Sequence, residues 1–130
     1  MVRSNRICFT LNNYTNDEQI AIEDFLDQHA DDLIYAIVGE EYGLNGTLHL
    51  QGYIHFKTSY LRASSGILRY WRSLPGLGRA HIEDSRGSDY ANKEYCEKDG
   101  IYIDWGSPQE SPMIITDRFA ELVNGILHGN

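Results

Sequence analysis

Cysteine is scarce in this 130-residue chain: Cys8 and Cys96 are the only two, which excludes a disulfide framework and suits free thiols in a reducing compartment. No apolar run approaches the roughly 20 residues of a membrane span. The first ten residues, MVRSNRICFT, hold no apolar signal core, which predicts an intracellular chain. No GxxxxGK phosphate loop occurs, so nothing here points to P-loop nucleotide chemistry. Internal repeats and low-complexity tracts are also missing. Positive charge is in short supply, with 11 basic against 19 acidic residues and a net charge of −8. As a single number, that balance argues against a nucleic-acid partner.

The distribution of charge softens the argument. Residues 1–56 carry two basic and nine acidic side chains, whereas residues 57–98 carry eight basic and five acidic ones. Local field, more than net charge, decides whether a phosphate backbone is held, and binding of that kind weakens as salt rises. The length suits one domain with its own core.

Periodicity orders the chain as β-α-β-β-α-β-α-β. RICFTLN, residues 6–12, alternates as a strand with Ile7, Phe9 and Leu11 on one face. Asn12–Asn16 is a turn cluster whose Thr15 or Asn16 can cap a helix over 17–29, with Ile22, Phe25, Leu26 and His29 at helical spacing. Asp17 and Glu18 suit the positive end of that helix. LIYAIVGEE, residues 33–41, reads as a buried strand ending in carboxylates, and YGLNGT as a hairpin into a strand over 48–56. A second helix is expected over 60–72, strands over 79–84 and 101–105, and a helix over 89–98 that Ser88 caps and Gly100 ends. GSPQESP then reads as a linker, so the expected division is a folded unit over 1–106, with 107–130 a linker and the start of a following helical segment.

The run LHLQGYIHF carries the first chemical signal. On a strand, His49 and Gln51 share one face and Leu50 takes the other. An imidazole and an amide oxygen can hold two positions of a hard divalent cation, and an anionic partner is needed to compete with water. Glu41 is the preferred carboxylate, with Glu40 as the alternative, because the two alternate and only one can face the metal. His with oxygen ligands suits Mn²⁺ or Mg²⁺, and the cluster has no thiolates to suit zinc. His55 shares the face but is expected to pack or meet solvent, and His81 and Glu83 to line the same sheet face without being primary ligands. Downstream, Tyr95 and Lys98 stand at i and i+3 on one helical face. A tyrosine hydroxyl titrates near about 10, so it attacks poorly at neutral pH unless nearby positive charge assists. Taken alone, a Tyr–x–x–Lys pair is commonplace on helices.

CFTLNNY, then VGEE with HLQGYIHF, then NKEYCEKDG occur in this order. Together they resemble the three motifs of the replication initiator (Rep) endonuclease domain of small circular single-stranded DNA viruses, the circovirus type above all. The resemblance spans residues 6–105. The family is a branch of the HUH nucleases, named for a His–hydrophobic–His pair; here Gln51 stands in the second place, a departure that bears on metal preference.

The resemblance implies an α+β fold of the HUH endonuclease kind: an antiparallel five-stranded sheet with flanking helices in a split βαβ, RRM- or ferredoxin-like arrangement. It implies metal-assisted nicking of an origin stem-loop in single-stranded DNA. Tyr95 would join covalently to the 5′ phosphate, leaving a 3′ hydroxyl for rolling-circle replication, and the reverse step would rejoin strands. Lys98 would steady the reacting groups, and Asn12, Asn13 and Tyr14 would lie against the DNA. A viral protein acting in the host nucleus is implied, with a helicase region following and oligomer contacts outside these 130 residues. Two other readings compete: a related HUH relaxase or transposase, and a non-catalytic single-strand-binding module on which Tyr53, Tyr60, Trp71 or Tyr102 would stack bases.

Overall fold

A computed structural model describes residues 3–43, 45–57, 62–63, 72–85 and 87–110. In chain order the elements are β1 (Arg3–Ser4), β2 (Arg6–Asn12), α1 (Asn16–Gln28), a 3₁₀ turn (Ala30–Asp32), β3 (Leu33–Tyr42), β4 (Leu48–Phe56), β5 (Arg62–Ala63), β6 (His81–Asp84), α2 (Asp89–Glu97) and β7 (Tyr102–Gly106). Five strands form one antiparallel sheet in the order β6-β2-β4-β3-β7, giving an α+β split βαβ architecture of the ferredoxin-like kind. No helix among the described residues is long and apolar enough to cross a membrane.

One expectation needs correction. Arg62 and Ala63 are not helical; they pair antiparallel with Ser4 and Arg3 in a small second sheet. A strand partner from the N-terminus overrides the local helical period there. Of the rest of the segment expected as a helix over 60–72, Arg72 is described and is helical, and the remainder lies outside the described residues, as do Tyr60 and Trp71 and the tail from residue 111. The strand expected over 79–84 starts only at His81, because Leu77 to Ala80 form a turn closed by the Ala80 amide on the Leu77 carbonyl at 3.1 Å.

Alternation sorts the sheet into two faces. Ile7, Phe9 and Leu11 of β2, Leu50, Ile54 and Phe56 of β4, and Ala36 and Val38 of β3 point to one side and bury against Ile22, Phe25 and Leu26 of α1. At about 25 cal/mol per Å² of apolar surface, this side holds most of the driving force for folding. α1 is fixed at its start by a capping box: Thr15 Oγ1 accepts from the Glu18 amide, and Glu18 accepts from the Thr15 amide. Arg79 then clamps Glu18 with Nε and Nη2 at 2.9 and 2.8 Å. This pair draws the Glu18 carboxyl down to about 2. The other face of the sheet carries α2, a smaller buried cluster of Tyr35, Ile37, Tyr53 and Cys96, and the polar residues of the site.

Candidate active site

The pairing register decides which side chains meet. Glu41 lies opposite His49 across the β3–β4 pair, and Asn12 lies opposite His49 across β2–β4. One row along, Gly39, Gln51 and Thr10 face each other in the same way. Directly paired residues share a face, so Glu41, His49 and Gln51 stand together on the α2 side. Glu40 pairs with Leu50 on the opposite side, where its Oε1 accepts from the Tyr14 hydroxyl at 2.5 Å. Burial, and next that bond, push the Tyr14 hydroxyl well above the usual tyrosine range. The two neighbouring glutamates are thus separated by the pleat, and Tyr14 occupies the one turned away.

α2 reaches this face because β3 has no side chain at position 39. A Cβ added to Gly39 would lie 1.8 Å from the Cys96 carbonyl oxygen. The missing side chain lets the last turn of α2 rest on the sheet at the row of Gln51. Tyr95 and Lys98 then project beside the three candidate ligands. Lys98 Nζ donates to Glu41 Oε1 at 2.9 Å and lies 4.1 Å from the centroid of the Tyr95 ring. The Glu41 bond holds the Lys98 ammonium above its ordinary lysine value, so it stays charged across the neutral range. Tyr95 is 49% exposed and open to a partner molecule.

Two atoms in this cluster are left over. Glu41 Oε2 and His49 Nδ1 are buried and have no hydrogen-bond partner, the two such side-chain atoms among the described residues. Unpartnered buried polar atoms are costly and call for an explanation. An anionic oxygen and an imidazole nitrogen in neighbouring positions fit a divalent cation, with the Gln51 amide oxygen as third donor. Gln51 Oε1 is steadied by the Thr10 hydroxyl, which donates to it at 3.0 Å. Among the described residues no group of three His, Cys, Asp and Glu side chains could hold a metal alone, so the set depends on that amide.

The nearby thiols do not compete. Burial pushes Cys96 up to about 12, and Cys8 is also raised, first by burial and then by Glu83. Both therefore stay protonated at neutral pH and are poor ligands and nucleophiles.

A cleft of about 240 Å³ opens beside Tyr95, with Thr10, Gln51, His81, Glu83 and Asn92 in its walls. His81 and Glu83 come from β6, where they face Thr10 and Cys8 across the strand pair and are exposed. Asn12 and Asn13 are exposed at the end of β2, and Asn13 takes a positive φ of 51°. Their carbonyls accept from Arg79 and the Asn13 amide donates to the Leu48 carbonyl at 2.9 Å, so their backbone is held while their amides face outward. Tyr14 is half-buried, with its hydroxyl committed to Glu40. His55 packs as expected and does not join the cluster; it is half-buried, and its Nδ1 lies 2.9 Å from the buried Asp89. Tyr53 is fully buried, which removes it as a base-stacking platform.

The comparison with known proteins follows the same residues. The sequence model of the viral replication protein (Viral_Rep) family matches residues 4–99, a span that takes in the first two motifs whole and the third to Asp99, with both sides of the cluster. The chain belongs to this family. It is 42% identical over 98 residues to the replication-associated protein of canary circovirus, covering 75% of this chain and 30% of that protein. It is 45% identical over 98 residues to that of beak and feather disease virus, with the same coverage. The Para-Rep C2 protein of a subterranean clover stunt alphasatellite is 36% identical over 103 residues, 79% of this chain and 34% of the relative. This circovirus-like Rep chain therefore spans about a third of the length of the curated relatives it matches.

Sequence reasoning passed over Thr10, Gly39 and Asp89. Gly39 was readable as a lone glycine inside the run LIYAIVGEE, where close approach of another backbone is the usual reason. Thr10 and Asp89 had no such signal, since a strand threonine and an acidic first residue of a helix are both ordinary.

Proposed function

We propose that this Rep-family chain nicks and rejoins single-stranded DNA at a viral replication origin, with Tyr95 as the nucleophile. The observation that carries the reading is the placement of Lys98 between Glu41 and the Tyr95 ring, beside the unpartnered Glu41 Oε2 and His49 Nδ1. A charged ammonium so close to the Tyr95 ring can steady the negative charge that builds up as a phosphate approaches the phenol oxygen. The Tyr95 oxygen attacks the scissile phosphorus, a Tyr–O–P bond forms and the bond from phosphorus to the 3′ oxygen breaks. The tyrosine proton goes to solvent, and the 3′ oxygen leaves as a hydroxyl after taking up a proton. One phosphodiester replaces another, so the reverse attack by a 3′ hydroxyl reseals the strand without an external energy source.

Glu41, His49 and Gln51 would hold a divalent cation, Mn²⁺ or Mg²⁺, which would supply Lewis-acid stabilisation of charge on the scissile phosphate. Thr10 keeps the Gln51 oxygen aimed, and Lys98 keeps one Glu41 oxygen occupied so that the other is left for the cation. The exposed amides of Asn12 and Asn13 offer donors and acceptors to the strand, and the cleft beside Tyr95 gives it room. The nuclease unit is residues 1–106, and the reading carries with it a site of action in the host nucleus.

The test is a denaturing gel after mixing the chain with a set of origin stem-loop oligonucleotides and Mn²⁺. A covalent protein–DNA band that disappears in Tyr95→Phe is expected. No band with any origin sequence, in either Mn²⁺ or Mg²⁺, sinks the nickase. Binding without a band would favour the non-catalytic module, a reading already weakened by the burial of Tyr53.

A further inference from the structure

The start of α2 contains more polar machinery than a helix start requires. Ser88 already caps it, its hydroxyl accepting from the Ala91 amide at 3.0 Å. The next residue, Asp89, is nevertheless only 1% exposed. A carboxylate is costly to bury unless donors satisfy its oxygens. Asp89 finds three donors, on two separate segments of the chain. Its Oδ1 accepts from the Tyr53 hydroxyl and from His55 Nδ1, both on β4, and its Oδ2 accepts from the backbone amide of Gln109 at 2.7 Å. Burial alone would raise the Asp89 carboxyl, but these bonds bring it below the ordinary aspartate value, so it is held as the anion. Arg6 adds a further tie, donating to the Gly87 carbonyl at 3.0 Å just ahead of the helix.

What this cluster fixes is a distance. Tyr53 and His55 lie on the same face of β4 as His49 and Gln51. α2 runs back along that strand, with Asp89 over the Tyr53–His55 end and Cys96 resting on Gly39 at the Gln51 row. The helix is therefore held at both ends, and Tyr95 rides between the two supports, about 9 Å along the axis from Asp89 at 1.5 Å per residue. Rotation or sliding of α2 would carry Tyr95 away from Glu41, His49 and Gln51. The third donor, Gln109, follows β7 on the segment by which the chain leaves the sheet.

We propose that Asp89 is a positioning residue for Tyr95, and that through the Gln109 amide it couples the placement of the tyrosine to the chain leaving the domain. The first half rests on Tyr95 being the nucleophile; the coupling does not. Strain on residues 107–110 from whatever follows in a longer protein would then reach the reacting tyrosine through one carboxylate.

The experiment uses the full 130-residue chain. Gln109→Pro removes the exit-chain donor and leaves Asp89, Tyr53 and His55 in place; Asp89→Asn and Tyr53→Phe weaken the anchor from its other sides. Single-turnover formation of the covalent adduct is expected to slow about tenfold in Asp89→Asn and several-fold in Gln109→Pro. Oligonucleotide affinity, measured in a Tyr95→Phe background, and Mn²⁺ affinity should stay within twofold. Unchanged rates in folded variants overturn the proposal, as do equal losses of rate and affinity, which a merely structural role would give. Amide NMR shifts supply a readout independent of nicking: Gln109→Pro should perturb residues 95–98 and leave β2 unmoved. Silence at 95–98 refutes the coupling even if the wild-type chain forms no adduct, whereas an absent wild-type adduct with those shifts present refutes the nickase reading and the Tyr95-positioning role while the coupling stands.

Discussion

The two faces of one sheet are held by different rules. The α1 face is hydrocarbon from Ile7 to Phe56, with the Tyr14–Glu40 bond as a polar contact beside it, and its core members need only fill volume. The α2 face has only a small apolar cluster, Tyr35, Ile37, Tyr53 and Cys96, and around it stand donors and acceptors that each need a particular partner: Thr10 for Gln51, Lys98 for Glu41, Asp89 for Tyr53 and His55. A defect on the first face is spread over many weak contacts and lowers stability. A defect on the second leaves a named atom without its partner and alters chemistry first. Two glycines in adjacent register rows make the contrast testable, since Gly39 admits the Cys96 carbonyl on one side and Gly52 admits the Phe9 ring on the other.

The largest expected effect is on the polar face. His49→Ala should cut nicking by about a hundredfold or more, since charge stabilisation of a phosphoryl oxygen by a cation is worth several kcal/mol. DNA binding, measured by fluorescence anisotropy, should largely survive; undiminished cleavage would remove His49 from the chemistry.

Gly39→Ala comes next. A methyl 1.8 Å from the Cys96 oxygen must move α2, and a displacement of about 1 Å at a reacting group can cost on the order of a hundredfold in rate. Thermal melting should change far less than the cleavage rate. A melting loss with normal turnover in the folded fraction would erase the distinction between the faces. Lys98→Ala should slow cleavage about tenfold while weakening binding less; equal losses would make Lys98 a general phosphate contact.

On the apolar face, Gly52→Ala places a methyl 2.1 Å from the Phe9 ring. Overpacking of this kind costs about 1–3 kcal/mol, and chemical denaturation should report it while the surviving folded protein nicks at the normal rate. The smallest effect lies at the rim. The Glu18 carboxyl is lowered from 4.5 to about 2 by Arg79, so the stability it lends is present above pH 4.5 and is lost as pH falls toward 2. Glu18→Gln should melt slightly below the wild type at pH 6, and the gap should close near pH 2. A gap that is unchanged across that range would show that the exposed pair contributes nothing.

Much of the apolar face could be read in advance, because period alone reports it. Ile7, Phe9 and Leu11 alternate, and Ile22, Phe25 and Leu26 recur at helical spacing, while the choice of Thr15 over Asn16 as the cap came only with the Thr15–Glu18 capping box. The polar face was legible only in part. Alternation put His49 beside Gln51 and parted Glu40 from Glu41, but which glutamate shares the His49 face could be read only from the pairing of Glu41 with His49. The burial of Asp89 could not be foreseen, since its partners are 34 to 36 residues away on β4 and 20 residues on at Gln109. Nor could the pairing of Arg62 and Ala63 with the N-terminal strand, where a distant partner outweighs local periodicity.

β4 lies in the middle of the sheet, paired with β2 along one edge and with β3 along the other. Its amides should be among the last to exchange with deuterated solvent, released only by opening of the whole domain, whereas those of the border strands β6 and β7 should exchange through local fraying. His49 and Gln51 thus sit where the molecule opens least often. On heating, their geometry should persist until the cooperative transition, so that activity disappears together with the fold and not ahead of it.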